Sequence, residues 1–265
     1  MRRYKVILIT GASSGIGKEI AYAIAPQGER IVLVSRREEK LQVIADDLTL
    51  RFGCDANVIA ADLSLPGNAQ EVFDKVLEIA GQPPDLLVNN AGIGFCGDAS
   101  EIQMGPECRM LTLNMETPLV LCKLTLKSMY ARQKGVVLNV ASLGGFVPGP
   151  FMASYYASKA FLRSYSEAIS AEARAHGVRV LTLCPGTVDT EFFASAGASK
   201  GFWRRFFCHS PQQVAACAVE AILRGFPDRI VPGRLNRIVL WAERLLPRSL
   251  VTHLAGKFLK SRMGC

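Results

Sequence analysis

The run Lys5-Val-Ile-Leu-Ile-Thr10 leads directly into Gly11-Ala-Ser-Ser-Gly-Ile-Gly17. Within it Val6 to Ile9 are apolar and largely β-branched, which reads as a short buried strand. The glycines end that strand in a tight turn, and Ile16 to Ala25 continues with helical spacing. The turn has the form G-x-x-x-G-x-G through Gly11, Gly15 and Gly17. Glycine allows a pyrophosphate to approach the backbone, and the following helix offers free N–H groups and a positive dipole end. Ser13, Ser14 and Ile16 fill out this expected dinucleotide cradle.

Outward from this point, strands and helices alternate. Further strands are expected at Arg30–Ser35, Asn57–Ala61, Asp85–Asn89, Gly135–Ala141, Val178–Cys184 and Arg229–Val231. Helices are expected at about Glu38–Phe52, Gly67–Ala80, through Leu119–Arg132, around Tyr155 to about His176, and at Pro211–Arg224. This order predicts an α/β fold: a doubly wound, Rossmann-like parallel sheet of about seven strands with helices on both faces. The strands are continuous apolar runs, as a sheet covered on both faces requires. Thr10, Ser35, Asp62, Asn89, Ser142 and Pro185 fall at or just past strand ends, the rim where such sheets bind ligands.

The second strand ends Val34-Ser35-Arg36-Arg37. An NAD-selective turn usually carries an acid here for the ribose 2′-hydroxyl. Its absence, with Arg36 placed to pair with a 2′-phosphate through its planar fork, points to NADP.

Tyr155 and Lys159 stand one helical turn apart, and Ser142 lies thirteen residues before the tyrosine. Residues i and i+4 share a helix face, so both side chains can reach one pocket. A free phenol, with a pKa of about 10, is a poor base. A nearby cation would lower that value. Tyr155 is thus the expected acid/base and Ser142 the hydrogen-bond partner of a carbonyl oxygen. A tyrosine on an apolar helix is more often core, and it is the combination with Ser142 and Lys159 that favours chemistry.

With these motifs in place, the chain resembles the short-chain dehydrogenase/reductase family, over about residues 4–232. The resemblance rests on TGASSGIG, Asp62-Leu63, Asn89-Asn90-Ala91-Gly92, Asn114, Ser142, Tyr155-x-x-x-Lys159 and Pro185-Gly186. It implies that Asp62 and Leu63 flank the adenine and that Asn89, Ala91 and Gly92 shape the cofactor cleft. It also implies that Val188 and Thr190 contact the nicotinamide carboxamide or phosphates. By the same resemblance Lys159 holds the nicotinamide ribose, and Asn114 anchors a water relaying protons to it. Dimers or tetramers through the helices holding Asn114 and Tyr155 are implied too. The implied activity is that of an NADPH-dependent carbonyl reductase or alcohol dehydrogenase. The branch is one that includes ketoacyl reductases.

The composition adds limits. The chain has 265 residues and is 49% hydrophobic, ordinary for one large globular domain. Eight cysteines and three histidines show no metal-ligand spacing, so reduced thiols, no metal and a cytoplasmic setting are expected. No run approaches the length of a membrane span.

Residues 200–265 hold twelve Lys/Arg and three Asp/Glu, or +9, against −1 for residues 1–199. A solvated basic face and attraction to an anionic surface or acidic acyl carrier both fit. The catalytic domain is expected over 1–232, with a basic amphipathic extension at 233–265. In that extension Leu235, Ile238, Trp241, Ala242 and Leu245 form one stripe. Leu250, Val251, Leu254, Ala255, Phe258 and Leu259 form another beyond Pro247. It could pack on the domain, on another subunit, or peripherally on a membrane.

The segment from Val188 to Ser210, rich in Phe and Trp and carrying Arg204 and Arg205, reads as a lid over a long apolar substrate or as packing. A 3-ketoacyl thioester, steroid or fatty ketone is the expected substrate class. The rival reading is a non-catalytic NADP-binding regulator. Nucleic-acid binding is disfavoured, because the basic residues are interleaved with aliphatics.

Overall fold

A computed structural model describes residues 3–192, 208–225 and 227–260. Its parallel sheet has seven strands among the described residues, in the order β3-β2-β1-β4-β5-β6-β9. The strands are β1 (Tyr4–Thr10), β2 (Gly28–Ser35), β3 (Asp55–Ala60), β4 (Leu86–Asn89), β5 (Gly135–Val140), β6 (Val178–Leu183) and β9 (Arg229–Ile230). β7 (Thr187–Val188) and β8 (Cys208–His209) form a separate small parallel pair. The order reverses between β1 and β4, so the crevice above their carboxyl ends is where a ligand is expected.

Helices α1 (Gly15–Ile24), α2 (Glu38–Phe52), α3 (Asn68–Ala80), α4 (Met104–Leu111), α5 (Thr117–Arg132), α6 (Ala153–Arg174) and α7 (Pro211–Arg224) cross between the strands. Each face of the sheet has its own core. Ile7, Ile9, Leu33 and Leu138 pack with α1, α2 and α7 on one side. Leu8, Val32, Leu87 and Val137 pack with α3, α5 and α6 on the other. β4 and β5 are buried at every residue, which explains their unbroken apolar sequence.

Local chemistry sets the boundaries. α2 and α3 end in left-handed Gly53 and Gly81. α7 begins with a capping box between Ser210 and Gln213, with Pro211 in its first turn.

The long helix expected through Leu119–Arg132 is composite. α4 passes through a π turn at Thr112–Glu116 before α5 begins. Pro118 has no N–H to offer the Asn114 carbonyl one turn earlier, so the helix widens there. α4 itself lacks an apolar stripe clear enough to announce it.

The tail folds as α8 (Arg234–Glu243) and α9 (Arg248–Lys260), parted at Pro247. Of the aromatic loop, Phe192 is described, whereas Phe193, Phe202, Trp203, Arg204, Arg205, Phe206 and Phe207 lie outside the described residues. No helix among the described residues is long and apolar enough to cross a membrane.

Candidate active site

The glycine turn at the end of β1 is built for close approach. Gly11 and Gly15 adopt positive φ values of 66° and 57°. A methyl on Gly17 would stand 2.3 Å from Asn90 Nδ2 and 2.5 Å from the Gly11 carbonyl. Asn90 is the pin of this turn: its amide donates to the Thr10 and Gly11 carbonyls at 3.0 and 3.1 Å. The Thr10 hydroxyl in turn accepts from the Asn90 and Ala91 N–H groups at 3.0 and 3.1 Å. Asn90 and Thr10 thereby lock β1 to β4 where the cleft opens. Ser14 is the N-cap of α1, yet its side chain makes no capping hydrogen bond, so the first N–H groups of the helix keep their binding capacity.

One cavity of about 1030 Å³ runs from this turn across the carboxyl rim of the sheet to the tail helices. Gly11, Ser13, Ser14, Gly15, Ile16, Arg36, Asp62 and Leu63 line one end. Ala91, Gly92, Ser142, Tyr155, Lys159, Pro185, Gly186, Val188 and Thr190 follow. Gly17 and Asn114 support the wall from behind. Asn89 turns away from the cavity: its amide donates to Asn139 Oδ1 at 2.9 Å in a buried polar cluster between β4 and β5. A resemblance fixed its position in the chain but not which way its side chain would point.

Asp62 Oδ1 accepts two hydrogen bonds from Ser64, one from its N–H at 3.0 Å and one from its hydroxyl at 2.7 Å. Burial pushes its carboxyl up, but the Ser64 bonds, aided by Arg36 and Arg109, hold it below the usual range. Arg37, which the sequence reading passed over, reaches across the cleft. It donates to Ser13 Oγ at 2.8 and 3.0 Å and to Ser14 Oγ at 2.6 Å. It also pairs with Glu191 at 2.6 Å. Two adjacent arginines in one motif give no sequence signal for which of them turns inward.

At the catalytic end, Ser142 follows β5 and its Oγ accepts from the Gly144 N–H at 3.0 Å. A hydrogen bond links its side chain to Tyr155. Lys159 is buried at 4% exposure and donates to the Val140 carbonyl at 2.9 Å. Burial pulls its ammonium down to a pKa of about 8.

Asn114 is clamped to Ile93 by two bonds, Ile93 N–H to Oδ1 at 3.1 Å and Nδ2 to the Ile93 carbonyl at 2.9 Å. It also donates to Ser158 Oγ at 3.0 Å. A methyl on Gly92 would lie 3.2 Å from both Asn114 Oδ1 and Lys159 Nζ, so the structure brings these two groups together above this glycine.

One expectation is corrected. The lysine was expected to lower the Tyr155 pKa, but burial dominates and raises it above the free-phenol value. The Ser142 hydrogen bond opposes that rise, and Tyr156 adds to it. The Lys159 ammonium stands 6.0 Å from the centre of the Tyr155 ring, spending a hydrogen bond on a backbone carbonyl. Tyr156 packs against Gly144 and Gly149, whose absent side chains leave room for its ring. Phe192 rests on Tyr155 with ring centroids 5.2 Å apart.

The residues fit a bound dinucleotide. The uncapped helix start and glycine turn suit phosphates, Arg36 and Arg37 suit a further phosphate, and the Ser-Tyr-Lys set lies further along the same cavity. Among the described residues no group of His, Cys, Asp or Glu is arranged to hold a metal ion.

Comparison with known proteins agrees with this geometry. The family described as short chain dehydrogenase matches residues 5–201. A very-long-chain 3-oxoacyl-CoA reductase of Anas platyrhynchos is 30% identical over 271 residues, covering 97% of this chain and 83% of that protein. Among solved structures, a short-chain dehydrogenase from Sphingobium yanoikuyae in complex with NADPH superposes with a TM-score of 0.78 at 26% identity, covering 91% of this chain and 94% of that one. A 7β-hydroxysteroid dehydrogenase structure gives a TM-score of 0.84 at 26% identity, covering 96% and 97%.

Proposed function

The chain belongs to the short-chain dehydrogenase family and is an oxidoreductase of C–O bonds, and we propose that it is an NADPH-dependent carbonyl reductase, reversible as an alcohol dehydrogenase, acting on a lipid-like ketone or 3-ketoacyl substrate. The observation that carries this reading is the single cavity. It joins the phosphate cradle and its arginines to Ser142, Tyr155 and Lys159, and ends among Leu246, Leu254 and Phe258 of the tail. The similarity to a very-long-chain 3-oxoacyl-CoA reductase supports a long apolar substrate.

When bound, the nicotinamide supplies the hydride. Ser142 donates a hydrogen bond to the substrate carbonyl oxygen and polarises it. Tyr155, kept protonated by burial, delivers its phenolic proton to the oxygen as negative charge develops there. Lys159, cationic below a pKa of about 8, stabilises the resulting phenolate and holds the nicotinamide ribose. Asn114, fixed by Ile93 and Ser158, anchors the route by which a proton returns to Lys159. Arg36, with Arg37, favours the cofactor that carries a 2′-phosphate. Pro185, Gly186, Val188 and Thr190 would flank the nicotinamide half, and homo-oligomers through the helical segment that holds Asn114 and through α6 are part of the same reading.

Titration of the purified protein with NADPH and NADH by cofactor fluorescence tests the cofactor assignment, followed by ketones of increasing chain length. Tight NADPH binding and turnover that rises with chain length are expected. Equal affinity for the two cofactors overturns the NADP assignment. Binding without turnover of any carbonyl compound would favour a non-catalytic regulator.

A further inference from the structure

The two tail helices have two faces with different tasks. Inward, α8 is fixed by Asn236, which is 3% exposed, donates to the Pro232 carbonyl at 2.7 Å and packs on Gly186. Val239, Leu240, Leu246 and Leu254 line the cavity that holds Tyr155. Outward, Leu235, Ile238, Trp241 and Leu245 are 43, 61, 67 and 69% exposed. Leu235, Ile238 and Trp241 recur at helical spacing on α8 and Leu245 follows in the turn beyond it, which puts bulky apolar side chains in water along one side of the tail. Scattered exposed leucines are ordinary, but a contiguous stripe that includes a tryptophan marks an interaction surface.

Charge says what covers it. From Gly233 to Lys260 there are six basic residues and one acid, a net +5. Arg234, Arg237, Arg244, Arg248, Lys257 and Lys260 are all exposed, and the one acid, Glu243, faces the cavity. An apolar stripe with tryptophan, rimmed by cations alone, matches an anionic lipid interface: side chains enter the acyl boundary and arginines meet the headgroups. Val239 and Leu246 are 46 and 42% exposed while also lining the cavity, so its mouth borders the stripe.

We infer that the outward face of α8 docks on an anionic membrane surface, so that the cavity takes its apolar substrate directly from the lipid. The docking stands apart from the carbonyl-reductase reading, whereas the loading route rests on it.

The test uses the full chain with phosphatidylcholine vesicles, with and without phosphatidylserine. Wild type should sediment with the anionic vesicles and be released by salt. Ile238→Ser/Trp241→Ser should lose at least tenfold in partitioning, because both side chains are solvent-facing and neither lines the cavity. NADPH binding by that variant, which reports an intact fold, should be unchanged. Arg237→Glu/Arg244→Glu should weaken partitioning by roughly fivefold or more per charge.

Equal sedimentation of variant and wild type, or none with anionic vesicles, overturns the docking. So does a wild-type dimer that the serine variant splits in the absence of vesicle binding, which would assign the face to a second copy. For loading, turnover of a long-chain ketone presented in vesicles should fall in the serine variant while a short soluble ketone is reduced as before. A parallel fall in both overturns the route. Sedimentation reads docking even if the protein reduces no carbonyl at all.

Discussion

Phe192 lies against Tyr155, with the planes of the two rings at 46° and their centroids 5.2 Å apart. Gly94 makes room for the pair: a methyl there would meet Phe192 Cζ at 2.8 Å and Tyr155 Cδ2 at 3.0 Å. The proposed proton donor is therefore capped by a ring with which a substrate at Tyr155 would share space. Phe192→Ala should raise kcat/KM for bulky ketones relative to small ones by roughly tenfold. NADPH affinity should hold, and a substrate panel measured alongside a cofactor titration reads both.

Tyr155→Phe removes the phenolic proton but keeps the ring that packs on Phe192. We expect kcat to fall by roughly 10²–10⁴ with little change in the NADPH dissociation constant. Ser142→Ala should reduce kcat by roughly 10²–10³. Single-turnover kinetics with a saturating ketone separate these losses from binding.

Glu191 holds Arg37 in an ion pair across the phosphate end of the cavity, and Lys40 lies 3.4 Å from the same carboxylate. That carboxylate would compete with the phosphate of the proposed cofactor for both cations. Its own pKa is held below the usual glutamate value by the Arg37 hydrogen bond and charge. Glu191→Gln should tighten NADPH binding severalfold and leave NADH nearly unchanged. Arg37→Ala should weaken NADPH by roughly tenfold. Calorimetric titration of both cofactors checks each direction.

Lys159 carries a pKa of about 8 in the folded chain, against an ordinary value of 10.5. Below about 8 both folded and unfolded chains hold this proton, and the penalty for burying the ammonium is present in full. Between about 8 and 10.5 the unfolded chain binds the proton more tightly, so this group makes stability rise with pH. Buried tyrosines with raised pKa values oppose that trend above about 10, where unfolded phenols ionise. Denaturant midpoints from pH 7.5 to 9.5, a range chosen on the order of that window, should rise for wild type and flatten for Lys159→Met.

Gly17→Ala would place a methyl against Asn90 and a backbone carbonyl at once. We expect a loss of about 1–3 kcal/mol in unfolding free energy and weaker cofactor binding. Circular dichroism melts with and without NADPH report both.

Most of this architecture can be read from residue types alone. The sheet is legible because its inner strands are apolar without interruption, and α2 and α7 because caps and glycines mark their ends. The cavity wall is legible where backbone geometry demands glycine or where the Ser-Tyr-Lys spacing meets a helical period. Side-chain direction is not legible. Asn89 and Asn90 are neighbours of the same type, yet one joins a buried amide cluster and the other pins the glycine turn. Arg36 and Arg37 present the same ambiguity at the phosphate end. The π turn at Asn114 escapes a reading based on a 3.6-residue period, and it follows from Pro118 only once the helix is seen. The tail stripes are visible as amphipathic, but which stripe meets the cavity is set by the Asn236 anchor.

The tail end of the cavity is lined by α8 and α9, which lie beyond the 5–201 stretch that matches the family model and beyond the last strand of the sheet. A ribosome makes this wall only after Ser142, Tyr155 and Lys159 have been joined to the chain. Natural variation can also rewrite it without touching the hydride-transfer machinery. Substrate range can thus drift through changes in some thirty residues while the chemistry stays fixed.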